Sequence, residues 1–396
     1  EVDIEKLIFL FLDIENFKYY NDKYGFWEGN NFLKNFAQLV EKTFSDSIVA
    51  HFSNDNFVIF TDDDGIQEKL DVLRKEIVNP DFEIKMSLKT GAYRPESRDC
   101  RPVVACDHAR YACYSIKKHC DRDYCEYDSS MAKDFYRKQY IINNLDAAIE
   151  NEYIKVYYQP VIDAASGNIC GAEALARWND PTYGFLSPAD FIETLEEYHM
   201  IHKLDMFVVR RVCRDLAEAK EKHNRIVSVS LNFSRLDFEY IDLAQEVEKN
   251  VNEHKIDKGC IHVEITESAL TENNEGLQTS LRELRSSGHS LWLDDFGSGY
   301  SGLNVLKEYD FDMMKIDMKF LSNFDSNEKA KTLLKNIVIL AKELGMKTLS
   351  EGVETEEARE FLKSIGCEHM QGYLFGRPMP VEELVAKIQS GVYHIA

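Results

Sequence analysis

The chain has 396 residues, with 47 Lys plus Arg against 69 Asp plus Glu and a formal net charge of −22. A hydrophobic share of 44% and a charged share of 29% describe an ordinary globular protein, long enough for about two or three domains. The acidic excess repels a polyanion and so disfavours a long nucleic acid as partner; no apolar run reaches the roughly 18–20 residues that cross a bilayer, and no charged-then-apolar leader is present. EVDIEKLIFLFLDI enters a strand almost at once, so a further portion upstream is expected, with a sensor or membrane region as a candidate.

Residues 1–130 read as strand, helix, hairpin and strand: LIFLFLDI, WEGNNFLKNFAQLVEKTF, IVAHFSNDNFVIFT and FEIKMSLKTGAY. That mixture predicts an α+β domain on a largely antiparallel sheet. Five of the nine cysteines, Cys100 to Cys125, crowd the end of this half, and the chain has no CxxC pair. Cys106, Cys113 and Cys120 are spaced as a helix face rather than a zinc knuckle, and the odd count points to a reducing, cytoplasmic compartment. Residues 131–150, from MAKDFYRKQYIINNLDAAIE, carry apolar positions at helical spacing without Gly or Pro and predict a connecting helix.

Residues 151–396 contain eight strand-like runs: YIKVYYQP, ICGAEALARW, RIVSVSLNF, CIHVEITE, HSLWLDDF, DMMKID, MKTLSEG and CEHMQGYLF. The first gap, VIDAASGN, is too short for a crossover helix and predicts an antiparallel hairpin. The later gaps suit strand–helix–strand crossovers. The whole is an α/β chain: an α+β domain followed by a (β/α)₈-type barrel with one reversed strand.

In such a barrel, chemistry gathers at the carboxyl ends of the strands. Glu173, Asn232, Glu264, the Asp294–Asp295 pair, Lys315, Glu351 and Gln371 all fall in or at the ends of successive strands. Each alone is an ordinary exposed or turn residue. Together they place five carboxylates, Glu173, Glu264, Asp294, Asp295 and Glu351, at one mouth, where they cannot all ionise without cations. Oxygen donors without convergent His or Cys favour Mg²⁺ or Mn²⁺. Adjacent carboxylates can hold two ions about 3.5–4 Å apart, an arrangement suited to in-line attack on a phosphodiester, and Lys315 can polarise the attacking water.

EALAR at 173–177, LNFS at 231–234, EITE at 264–267, DDFGSGY at 294–300, KID at 315–317, EGVE at 351–354 and QGYLFGRP at 371–378 resemble the motifs of EAL-domain cyclic di-GMP phosphodiesterases over residues 137–396. The resemblance implies hydrolysis of cyclic di-GMP to linear 5′-pGpG with two Mg²⁺ or Mn²⁺ ions, in a barrel whose first strand is reversed. It implies Glu173, Asn232, Glu264 and Asp294 as ligands of one ion, and Asp294 and Asp295, with Glu351 close by, at the other. Lys315 matches the water-activating lysine; Gln159 and Arg177 resemble nucleotide and phosphate contacts, and Gln371 a further site residue. Glu267 resembles the brace of the loop that begins at Asp294, and a homodimer through that loop is expected. A non-catalytic cyclic di-GMP receptor is the rival reading.

LDIENFKYYNDKYGFWEGN resembles the opening of a GGDEF, or diguanylate cyclase, domain, with Asp13 and Asp55 at metal positions and Asn21 at a guanosine position. Asn30 stands where the family has its guanine-reading Asp. SNDNF at 53–57 replaces the signature, so both glycines are lost and Asn56 stands for its Glu. A side chain at position 54 would intrude on a triphosphate. FSDS precedes Ile48 where the inhibitory RxxD motif would end. The resemblance therefore implies a domain without cyclase activity, either a structural relic or a GTP-binding regulator.

Overall fold

The computed structural model of the protein describes residues 6–396 except 54, 78–83, 98, 118–120, 224–226, 271–274, 298–301 and 322–327. The chain divides into two compact units, residues 1–139 and 140–396. The division falls inside the helix Ser129–Glu150, which begins two residues before the expected connecting helix.

The first unit is a five-stranded sheet in the order β2-β3-β1-β4-β5. Its strands are β1 (Leu7–Glu15), β2 (Ile48–Ser53), β3 (Asn56–Asp62), β4 (Ser87–Tyr93) and β5 (Tyr124–Glu126). Only β4 and β5 run parallel. The run LIFLFLDIE alternates between two dry faces. Ile8, Leu10, Leu12 and Ile14 join Phe36, Val40, Leu70 and Leu73 from the helices Phe26–Thr43 and Ile66–Ile77. Phe9 and Phe11 meet Ala105, Ala109 and Cys113 of the helix Pro102–Ser115. That helix lies so close that a Cβ on Gly91 of β4 would sit 2.0 Å from the Ala109 carbonyl oxygen. Cys106 and Cys113 share this helix, as their spacing predicts, while Cys120 lies outside the described residues. The eight described cysteines are free thiols.

The second unit is a nine-stranded closed sheet: β6 (Ile154–Asp163), β7 (Ile169–Asp180), β8 (Gly184–Leu186), β9 (Ser228–Phe233), β10 (Ile261–Thr266), β11 (Ser290–Phe296), β12 (Met313–Ile316), β13 (Lys347–Ser350) and β14 (His369–Gln371). β6 pairs antiparallel with both β7 and β14, closing the barrel with one reversed strand. All pairings from β7–β9 round to β13–β14 are parallel. The short β8, paired with the end of β7, carries too few residues to show a period in the sequence.

Strand parity separates greasy from polar positions. Val229, Leu231 and Phe233, Ile261, Val263 and Ile265, and Leu291 and Leu293 point outward into the core shared with the surrounding helices. The residues between them therefore face the barrel interior. Among the described residues, no helix is long and apolar enough to cross a membrane.

Candidate active site

Parity and strand ends together bring the predicted residues into one cluster. Lys315 of β12 is its centre: Nζ lies 2.6 Å from Glu264 Oε2, 2.7 Å from Glu351 Oε1, 3.1 Å from Asp294 Oδ1 and 3.6 Å from Glu173 Oε1. Asn232 donates its Nδ2 to Glu173 Oε1 at 2.7 Å, and the Gln371 amide donates to the other oxygen of Glu173. Asn232 is held by the turn that follows it. Ser234 and Asp237 form a capping box, which stops β9 and starts the helix Arg235–Tyr240.

Consecutive residues of a strand point to opposite faces, so two adjacent aspartates cannot both enter one site without a break. The break is present. Pairing between β11 and β12 shifts register between Leu293 and Phe296, and Asp295 adopts a left-handed φ of 54°. Asp294, Asp295 and Glu351 thereby bring carboxylate oxygens within 4.8 Å of one another. Asp294 Oδ1 accepts the Asp295 amide at 2.9 Å. Glu267, buried in the short turn of helix after β10, accepts the Gly297 N–H at 3.0 Å and so ties down the segment leaving Asp295. The remainder of that loop, residues 298–301, on which the expected dimer contact falls, lies outside the described residues.

The electrostatics are those of a crowded anion ring. Burial lowers the affinity of Lys315 for its proton, but Asp294, Glu173, Glu264 and Glu351 outweigh it and hold the ammonium charged well above its ordinary range. Burial pushes Glu264 well above the usual carboxylate range, with Lys315 opposing and Glu173 and Asp294 adding. Burial likewise lifts Glu351 to about 7, against the pull of Lys315. Asp295 is raised by burial, then by Asp294 and Asp317. Glu173 is penalised by burial too, yet Lys315, Gln371 and Asn232 bring it below the usual value.

One ammonium does not balance five carboxylates. Glu264 Oε1 is buried with no hydrogen-bond partner, in a residue with 0% exposure. Leaving a carboxylate oxygen so placed costs several kcal/mol unless a cation or proton meets it. The donor set of carboxylates and one amide oxygen fits hard divalent ions.

Above the ring is a cleft of about 340 Å³ lined by Gln159, Asn232, Met318, Glu354 and Tyr373 among others. Gln159 accepts from Gln371 at 3.2 Å and donates to the Gly376 carbonyl at 3.3 Å. Arg177 stands four residues beyond Glu173 on β7, where its guanidinium donates to the Ala176 carbonyl at 2.8 Å. Two residues escaped the sequence reading as site groups. Asp317, two positions past Lys315, is buried, accepts the Lys319 N–H at 2.9 Å and repels Asp295. Its signal was its parity with Lys315. Tyr373 stacks against the Arg377 guanidinium, 4.4 Å from centroid to carbon.

In the first unit, Asp13 and Asp55 are near enough for the charge on Asp55 to raise Asp13, after the larger effect of burial. Asp13 Oδ2 is met by Lys117 Nζ at 2.6 Å, a lysine with no distinguishing signal in the sequence. Asn21 Oδ1 lies against Gly29, where an added Cβ would collide with it. Position 54 lies outside the described residues, and Asn56 opens β3 opposite Asp13.

Fold and site define a class: a (β/α)₈-type barrel with a reversed first strand and a polyacidic mouth. The EAL domain profile matches residues 142–378, and the diguanylate cyclase GGDEF domain profile matches residues 2–122. The chain belongs to the EAL-domain family, with a GGDEF domain in tandem before the EAL domain. It is 29% identical, over 98% of its length, to the bifunctional diguanylate cyclase/cyclic di-GMP phosphodiesterase MucR of Pseudomonas aeruginosa, of which it covers 58%. It is 30% identical over 96% of its length to the cyclic di-GMP phosphodiesterase NbdA of the same organism, of which it covers 49%. The solved structure of the PaMucR phosphodiesterase in complex with c-di-GMP shares 31% identity at a TM-score of 0.58, covering 62% of this chain and 99% of that one. The chain spans about half the length of the curated relatives it matches.

Proposed function

We propose that the barrel hydrolyses cyclic di-GMP to linear 5′-pGpG with two divalent cations, Mg²⁺ or Mn²⁺. The observation that carries this reading is the buried acid ring around Lys315, with Glu264 Oε1 unpartnered and Asp294, Asp295 and Glu351 converging. Glu173, Asn232, Glu264 and Asp294 would hold one ion, and Asp294, Asp295 and Glu351 the other. Bound there, the cations would acidify the attacking water and offset charge on the phosphate. Lys315, whose Nζ lies within 2.6–3.6 Å of four of these acids, would sit beside the attacking water. There it would polarise the attacking water and offset charge in the transition state. Gln159 and Arg177 would offer amide and guanidinium donors to the nucleotide, and Gln371, whose Nε2 is committed to Glu173 and Gln159, its unpartnered Oε1. The division into a GGDEF-like domain at 1–130, a connector at 131–150 and a barrel at 151–396 follows from the same reading.

The first domain is proposed to lack cyclase activity. Asn56 offers no carboxylate, and the Lys117 ammonium fills the place beside Asp13 that a cation would take. The chain is proposed to act in the cytoplasm as a homodimer.

The purified chain, given cyclic di-GMP with Mg²⁺ or Mn²⁺, is expected to release pGpG, and a chelator to abolish it. Tight binding of the dinucleotide without turnover in either metal would replace the enzyme by a receptor. Calorimetry with GTP and Mg²⁺ decides the first domain: measurable heat makes it a regulator, and its absence at high concentration makes it a relic.

A further inference from the structure

The barrel carries a second polar layer, at its amino-terminal mouth. Because inward positions recur every second residue, the strands that present Glu264, Asp294, Glu351 and Gln371 also carry His262, Ser290, Lys347 and His369 below them. Trp292 and Leu349 separate the two layers on β11 and β13, and with Val161 and Met313 they form an apolar plug. Under the plug is a cavity of about 550 Å³, walled by those four polar residues together with Ser228 and Arg285 among others. The interior of a barrel of this type is ordinarily filled with branched apolar side chains. A cavity of this size, with an apolar floor and a few convergent polar groups, has the form of a small-molecule site.

Its polar groups are not all used by the protein. His262 Nδ1 is buried without a hydrogen-bond partner, and the ring lies along Trp292, with centroids 4.7 Å apart and an interplanar angle of 20°. Lys347 forms no ion pair among the described residues. The one carboxylate in the wall is committed: Asp312 takes Arg285 at 3.2 Å on one oxygen and the Leu291 N–H at 2.9 Å on the other. His289 is likewise satisfied, by the Ile261 carbonyl and Glu248. Imidazoles beside Cys170 would invite a transition metal. Among the described residues, however, no three His, Cys, Asp or Glu ligand atoms here gather within the 4.8 Å that Asp294, Asp295 and Glu351 achieve.

We propose that this amino-terminal mouth binds a small aromatic oxyanion. The ring rests on the plug, the oxyanion is held at Lys347, and His262 Nδ1 with the Ser290 hydroxyl, which accepts from Trp292 and keeps its own proton free, supplies hydrogen bonds. The site is separate from the acid ring, whose charge would repel the same ligand. It requires no turnover, so it stands or falls apart from the phosphodiesterase reading.

The test uses the full chain treated with a chelator, so that the acidic mouth offers anions nothing. Phenyl phosphate, inorganic phosphate and phenol are titrated separately by calorimetry and by NMR of ¹³C-labelled histidine rings. The His262 signal is assigned by its loss in His262→Gln. Phenyl phosphate is expected to bind at one site, to move the His262 signal, and to bind more tightly than either fragment. Lys347 is exposed, so Lys347→Met keeps the fold and should weaken binding about tenfold or more, the worth of one charge-assisted hydrogen bond. Inorganic phosphate binding as well as phenyl phosphate would mean an adventitious ion only. No saturation at millimolar concentration, or affinity unchanged in both variants, would equally overturn the site.

Discussion

Replacing Lys315 by methionine tests whether the ammonium is a structural counter-charge as well as a catalytic group. Its Nζ contacts four carboxylates at 2.6–3.6 Å. At an effective dielectric near 20, each contact carries about 5 kcal/mol of raw attraction. Desolvation of a wholly buried ammonium and its partners returns most of that. The expected net loss is therefore nearer the ~3–5 kcal/mol seen when one partner of a buried pair is removed. The loss has a pH signature. A carboxyl group whose folded pKa is raised contributes stability below its unfolded pKa and loses it as pH rises through the folded value. Glu351, at about 7, and Glu264, raised well above its ordinary value, both behave so, and both rise further without Lys315. Urea unfolding of the barrel in chelator should thus show a larger loss near pH 8 than near pH 5.5, by about 1 kcal/mol or more. Added Mn²⁺ should stabilise the variant more than the parent, while turnover falls ~10²–10³-fold. A loss equal at both pH values, or well under 1 kcal/mol, would refute the counter-charge argument.

Other substitutions probe the supports of the ring. Glu267→Ala removes the acceptor of the Gly297 N–H and should weaken Mn²⁺ binding about tenfold by calorimetry. Glu267→Gln keeps an oxygen there and should recover most of it; equal losses would show that the brace does not act through this bond. Asp317→Asn removes a charge that raises Asp295, so the pH at which Mn²⁺ binding sets in should move downward. An unmoved or raised onset would mean the two groups are not coupled.

The barrel was legible because its strands follow a strict two-residue period with polar residues at one end. Parity alone predicts that Glu173, Glu264, Lys315 and Gln371 share an interior. The extra strand β8 was not legible, because three residues carry no period. Lys117 was hidden for a different reason. A lysine at the end of a helix is ordinary in sequence, and only the fold brings it 2.6 Å from Asp13. The sequence argument also assigned the whole burden of neutralising the acids to metal. The structure divides it, placing the Lys315 ammonium against four of them. Distances across a barrel between β12, β7, β10 and β13 follow from closure and shear, which local patterns do not encode.

Asp295 shows how the site sets stability against function. A left-handed backbone at a non-glycine residue costs about 1–2 kcal/mol, and Asp tolerates it better than most. The register break in β11 imposes this backbone and sets the carboxylate beside Asp294 on one side of the chain, where Asp294 and Asp317 repel it. A substitution that removes the charge should therefore stabilise the chelator-treated barrel while abolishing turnover. Asp295→Asn should be more stable than the parent above the raised pKa of Asp295, where the parent carries the charge. Asp295→Gly and Asp295→Ala lose the same carboxylate but differ at the backbone. Glycine adopts φ 54° freely and costs ~0.4–1 kcal/mol of unfolded-chain entropy, whereas alanine pays the larger left-handed penalty. Asp295→Gly should thus unfold at higher urea than Asp295→Ala. If alanine proves equally stable, the positive φ at this position relaxes once the carboxylate is gone, and it is the charge, not the register break in β11, that shapes the turn.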